Sequence, residues 1–128
     1  SLILFVGRHK KVMIKQILSK EIKDYLKNNS NCVLLDVRTQ EEWDQFGRPD
    51  GEKLGLKTHF LTIKDENFVN DFKKLSISQD CEILSICKSG ERSQFVAELL
   101  TKENYKSVNI SDGFDGWNSS DLPLLLSK

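Results

Sequence analysis

Apolar and polar positions along the chain alternate between two periods. From Glu82 to Ile86 a short run rich in Ile and Leu has the make-up of a buried strand, and directly after it Phe95, Val96, Leu99 and Leu100 recur at the spacing of one helix face. The same change of period appears upstream. Ile17 and Leu18 predict a short strand leading into a helix, with Ser19 as its N-cap, Glu21 in the first turn, Ile22, Tyr25 and Leu26 on the buried face, and Asn28 and Asn29 at its end. Cys32 to Val37 is almost continuously apolar, as expected of a parallel strand covered on both faces, and this gives Cys32 a plain structural role.

Thr39-Gln40-Glu41-Glu42 is a capping box, in which Thr39 bonds forward to the amide of Glu42 and the Glu42 side chain reaches back. A helix carrying Trp43 and Phe46 starts there, and Gly47 and Pro49 stop it. His59 to Ile63 predicts another strand. Phe68, Val69, Phe72 and Leu75 keep a helical spacing behind Asp65, Glu66 and Asn67, and Ser107 to Ile110 forms a short last strand. Strands alternating with helices throughout predict an α/β sandwich around a parallel central sheet.

Composition narrows the function classes. The 128 residues suit one domain with its own core. Charged residues make up 30% with a formal net charge of zero, so no basic field argues for nucleic acid and no acidic excess argues for disorder. Cys32, Cys81 and Cys87, with two histidines, form neither a CxxC pair nor a metal-ligand spacing, which fits a reducing, cytoplasmic setting and no metal. Residues 1–16 read as an N-terminal extension and 17–128 as the domain proper. Leu2 to Val6 is apolar and precedes Arg8, His9, Lys10 and Lys11. Five such residues cannot span a bilayer, so the stretch is either an edge strand or helix packed on the domain, or the tail of a removed anchor, the one circumstance that implies membrane association.

Candidate chemistry falls at Cys87, in the turn where the central strand becomes a helix. With Ser93 as N-cap, the free amides of the first helical turn point toward the sulfur, and Lys88 and Arg92 add positive charge, an arrangement that stabilises a reactive thiolate. Gly90 suits a loop whose amides converge on one anion, because it takes positive φ without steric cost. The plainer alternative is an inert buried cysteine at the end of a strand.

Cys87, Gly90, Arg92 and Ser93 match the CxxGxRS pattern of single-domain rhodaneses, and the stretch resembles their active-site loop. Leu34-Leu35-Asp36-Val37-Arg38, followed by Glu41, Glu42 and Trp43, is similar to the LxDVR strand end and acidic-aromatic helix of the same family. Asp112-Gly113-Phe114-Asp115-Gly116-Trp117 resembles its closing GGxxGW, with Asp112 in place of the first glycine, so the likeness runs from about Ile17 to Leu124. It implies a three-layer sandwich with a mostly parallel five-stranded sheet and helices on both faces. It also implies a sulfurtransferase in which Cys87 takes a sulfane sulfur from thiosulfate or another persulfide donor and passes it to cyanide, a thiol or a protein acceptor, without a cofactor. Lys88, Ser89, Gly90, Glu91, Arg92 and Ser93 would form the substrate cradle. Two rival readings are a non-catalytic or sulfur-relay module and a phosphatase or arsenate-reductase-like enzyme. The second is disfavoured because Cys87 and Arg92 enclose four residues, one fewer than in the tyrosine-phosphatase loop.

Supporting positions follow from the same resemblance. Asp36 lies at the carboxyl end of its strand, where it either accepts hydrogen bonds from amides near the catalytic loop or serves as a structural cap. Arg38 is expected to pair with Glu41 or Glu42. Arg48 replaces the histidine of the family's GHxPG pattern, as an oxyanion fork or a solvated loop charge. Phe114 and Trp117 either wall the loop with apolar surface or belong to the core. His59 and Cys81 are read as ordinary residues, neither a base nor a resolving thiol.

Overall fold

A computed structural model describes residues 12–126. Along the chain it forms β1 (Lys15–Ile17), α1 (Ile22–Asn28), β2 (Cys32–Asp36), α2 (Gln40–Phe46), β3 (Arg48–Pro49), β4 (Lys57–Phe60) and α3 (Phe68–Lys73). β5 (Glu82–Ile86), α4 (Glu91–Lys102), β6 (Lys106–Ile110), α5 (Gly113–Ser119) and β7 (Leu124–Leu125) complete it. The central sheet has five strands in the order β1-β6-β5-β2-β4, and every pairing in it is parallel. β3 and β7 form a small separate antiparallel pair.

All five residues of β2 are buried, as its unbroken apolar run requires of a strand covered on both sides. Successive side chains feed opposite faces. Leu34, Leu84, Ile86 and Val108 join Ile22, Phe114 and Trp117 in one cluster, while Val33, Leu35 and Ile83 join Phe68, Phe72, Val96 and Leu100 in the other. Helices α1 and α5 cover the first face, and α3 and α4 the second, which makes the three layers.

The sheet takes in more of the amino-terminal region than the sequence suggested, since Lys15 and Gln16 pair with Val108 and Asn109. Leu2 to Lys11 lie outside the described residues. Among those described, no helix is long and apolar enough to cross a membrane. Ser19 is not an N-cap: it opens a 3-10 turn (Ser19–Glu21) ahead of α1, and Glu21 accepts from the Leu18 amide at 2.7 Å. Its amide and hydroxyl go instead to Asp112 Oδ1, at 3.0 and 2.9 Å. That bond gives Asp112 a use where the resembled family carries glycine, and its φ of −96° needs none.

Candidate active site

The carboxyl ends of adjacent strands β2, β5 and β6 bring the chemistry-bearing residues together, at the edge where open α/β sheets place their sites. Cys87 follows β5 directly, and its side chain is recessed, with the residue only 1% exposed. The Gly90 amide donates to Cys87 Sγ at 3.1 Å and the Ser93 amide at 3.4 Å, with Ser93 Oγ 3.3 Å away. Gly90, not Ser93, is the N-cap of α4. It adopts φ +102°, and Ser93 falls one turn into the helix, where its amide still faces the sulfur. The sulfur thus sits on the positive end of a 12-residue helix.

Two glycines permit this loop. A Cβ on Gly90 would strike the Ser111 carbonyl, and one on Gly113, at φ +60°, would strike the carbonyls of Cys87 and Lys88. The close approach at Gly113 lets the Phe114 amide donate to the Cys87 carbonyl at 2.7 Å and the Asp115 amide to the Lys88 carbonyl at 3.1 Å. The first turn of α5 is therefore latched onto the cysteine loop.

Asn109, at the buried end of β6, completes the inner side. Its Nδ2 donates to the Gly90 carbonyl at 3.1 Å and to Gln16 Oε1 at 2.8 Å, while its Oδ1 accepts from the Ser93 hydroxyl at 2.6 Å. Gln16 Nε2 then donates to Gln94 Oε1 at 2.6 Å. Neither Asn109 nor Gln16 belongs to a motif. The one signal for Asn109 is an amide set between Val108 and Ile110 in an otherwise apolar strand end.

The charged residues do not all go where the sequence pointed. Arg38 pairs with Asp36, not with Glu41 or Glu42, through bonds from Nε and Nη2 at 2.9 to 3.2 Å, and both side chains are buried. Asp36 also accepts from the Arg38 amide at 3.0 Å, so its carboxylate closes a local turn and does not take the amides of the cysteine loop. The guanidinium donates to the Gly47 carbonyl at 3.0 Å and lies 4.1 Å from the centre of the Phe114 ring, which links this pair to the latch under Cys87. Arg48 spreads over the rings of Trp43 and Phe60, 5.5 Å from each. Trp117 belongs to the core and not to an accessible wall: it is fully buried, and its indole N–H donates to the Pro123 carbonyl at 2.8 Å.

Arg92 forms a fork with Glu42, its two terminal nitrogens 2.7 and 2.8 Å from the two carboxylate oxygens. Glu42 also closes the capping box on Thr39, accepting from its amide at 3.1 Å while its own amide donates to Thr39 Oγ1 at 3.2 Å. The Arg92 hydrogen bonds, more than offsetting partial burial, hold the Glu42 carboxyl down at about 2, and the same fork holds the guanidinium above its usual range. Lys88 bonds the Asp115 carboxylate at 2.9 and 3.2 Å and lies 5.5 Å from the centre of the Phe46 ring. Ser89 Oγ donates to the exposed Glu91 carboxylate at 3.2 Å.

The other two thiols lie at the opposite, amino ends of β2 and β5. Burial, followed by the Glu82 carboxylate, pushes Cys32 up to about 12, and the same two causes raise Cys81. Burial, followed by the Lys57 charge, lowers the His59 imidazole from its ordinary value. Among the described residues no group of three or more His, Cys, Asp or Glu side chains is arranged to hold a metal ion.

This α/β architecture, with a cysteine under the amino terminus of the helix that follows the central strand, defines a class of cysteine-centred domains. The chain belongs to the rhodanese-like domain family, which matches residues 18–120. It is 36% identical over 121 residues to an uncharacterised protein of Rickettsia prowazekii, covering 88% of this chain and 98% of that one. A protein named sulfurtransferase from Allochromatium vinosum is 27% identical over 114 residues, covering 88% and 96% of the two chains. Among solved structures, Rv0390 from M. tuberculosis superposes with a TM-score of 0.71 at 25% identity, over 88% of this chain and 97% of that one.

Proposed function

We propose that the protein is a sulfurtransferase working by double displacement on Cys87. The observation that carries this reading is the set of donors on Sγ: the amides of Gly90 and Ser93 converge on one sulfur at the head of α4, with the Ser93 hydroxyl oxygen 3.3 Å from it. Such donors stabilise a thiolate, and after transfer they can stabilise the anionic outer sulfur of a persulfide. The matching loop pattern and the distant relative named sulfurtransferase support the same chemistry.

In the first half-reaction the Cys87 thiolate attacks the outer sulfur of a donor, and the donor's S–S bond breaks with its electron pair leaving on the rest of the donor. With thiosulfate the leaving group is sulfite. In the second half-reaction cyanide or a thiolate attacks the outer sulfur of Cys87–S–S⁻, and the Cys87 thiolate is released. Neither half requires a redox cofactor, because sulfane sulfur carries its oxidation level with it.

Intact-mass measurement after incubation with a sulfane donor tests the proposal. A gain of one sulfur atom is expected in the wild type and in Cys32→Ser and Cys81→Ser, whose thiols burial keeps protonated, but not in Cys87→Ser. Loading of the Cys87→Ser protein, or failure of the wild type to load from any donor, would overturn it.

A further inference from the structure

The charges around Cys87 choose among sulfur donors. Thiosulfate is a dianion whose sulfonate lies one bond behind the sulfur it gives up, so a site that binds it well must offer free cations or donors to three oxygens. The cysteine loop contributes two cations, Lys88 and Arg92, and both already face carboxylates, Asp115 and Glu42.

These two pairs are unequal. Lys88 and Asp115 have side chains 44% and 55% exposed, so their pairing is screened and readily exchanged. Glu42 is only 17% exposed, and besides Arg92 it takes the amide and hydroxyl of Thr39. Turning Arg92 toward a ligand would leave this half-buried carboxylate without its main partner. Arg38 is committed to buried Asp36, Arg48 lies over Trp43 and Phe60, and Glu91 adds an exposed carboxylate to the loop itself. The amides of Gly90 and Ser93 converge on one sulfur-sized position, that of Cys87 Sγ, and not on a spread of three oxygens.

We infer that the donor is an alkyl persulfide, R–S–SH, in preference to thiosulfate, and that Glu42 sets this preference by holding Arg92 away from the donor path. The inference rests on the sulfur-transfer reading above and specifies its substrate class. An alkyl persulfide places a two-coordinate sulfur and a methylene behind the sulfur it transfers, with no oxyanion to neutralise and a profile narrow enough for a recessed nucleophile. The Cys87 thiolate attacks the outer sulfur, the S–S bond of the donor breaks, and RS⁻ leaves with the electron pair and takes a proton from water. The outer sulfur keeps its own proton or ionises under the loop amides. A free persulfide and a cysteine persulfide on another protein share this chemistry.

The test measures kcat/KM for loading of Cys87, by intact mass, from thiosulfate, glutathione persulfide and a persulfidated cysteinyl peptide, in the wild type, Glu42→Gln and Asp115→Asn. Wild type is expected to load from at least one of the two persulfides about tenfold or more faster than from thiosulfate, the better of them indicating a free or a protein-borne source. Glu42→Gln is expected to shift the thiosulfate-to-persulfide ratio about tenfold toward thiosulfate, and Asp115→Asn to shift it less. Thiosulfate loading the wild type as fast as the better persulfide would overturn the inference while leaving sulfur transfer intact, and so would an unchanged ratio in folded Glu42→Gln. Loading from none of the donors would overturn the sulfur-transfer reading itself. Should Glu42→Gln fail to fold, the wild-type ratio decides the matter, and thiosulfate loading as fast as the better persulfide overturns the inference.

Discussion

The Ser93 hydroxyl donates to Asn109 Oδ1 at 2.6 Å while its oxygen stands 3.3 Å from Cys87 Sγ. The orientation of the amide follows from its other partner: the Gly90 carbonyl can only accept, so Nδ2 faces it and Oδ1 faces Ser93. A hydroxyl has one proton to give, and here an amide oxygen and the sulfur both lie within its reach. Asn109 therefore holds the Gly90 turn in place and sets where the Ser93 proton rests.

Asn109→Ala is expected to leave the Gly90 carbonyl and the Ser93 hydroxyl short of a partner, costing about 1–3 kcal/mol of stability and slowing Cys87 loading several-fold. Denaturant midpoints and single-turnover loading rates check this. A variant with both quantities at wild-type values would show that the amide is a bystander.

Acid should weaken the Arg92 fork, and the sign follows from Glu42. Its folded value of about 2 lies below the ordinary glutamate value, so its contribution is complete above the unfolded carboxyl range and is lost as pH falls from there through about 2. The Tm difference between wild type and Glu42→Gln is expected to be largest near neutral pH and to shrink below about pH 4. Parallel Tm curves down to pH 2.5 would mean that the fork contributes nothing to stability.

Trp117→Ala should destabilise the fold by about 3–5 kcal/mol, since it empties a large core position and removes the donor to Pro123. Trp117→Phe should lose less. An unchanged denaturant midpoint for the alanine variant would contradict the buried placement.

Glu91 sets an exposed carboxylate at the head of α4, where it accepts from the Ser89 hydroxyl. Its repulsion of a dianion across exposed surface is worth roughly 1 kcal/mol or less. Glu91→Gln is thus expected to lower the thiosulfate KM several-fold at low salt with little change in kcat, and the gain should fade as salt is added. Steady-state kinetics at two ionic strengths check this, and an unchanged or raised KM at low salt would place Glu91 away from the donor path.

Features set by neighbours in the chain could be read in advance. The Thr39–Glu42 capping box forms as its spacing requires, because both partners lie within one helical turn. The strand, loop and helix around Cys87 likewise follow from the switch in apolar period and the single glycine of the loop, both local properties. The alternation of such units led to a parallel sheet, because parallel neighbours need a crossover between them.

What the fold decided is partner choice across long separations. Arg92 and Glu42 lie fifty positions apart, and Cys87 follows β5 while Asn109 lies in β6. They meet because β2, β5 and β6 run side by side and end at the same edge, an order that no local period encodes. The same holds for Arg38. The sequence pointed it to Glu41 or Glu42, and its pairing with Asp36 goes with the Gly47 carbonyl and the Phe114 ring, which only tertiary packing delivers to the guanidinium.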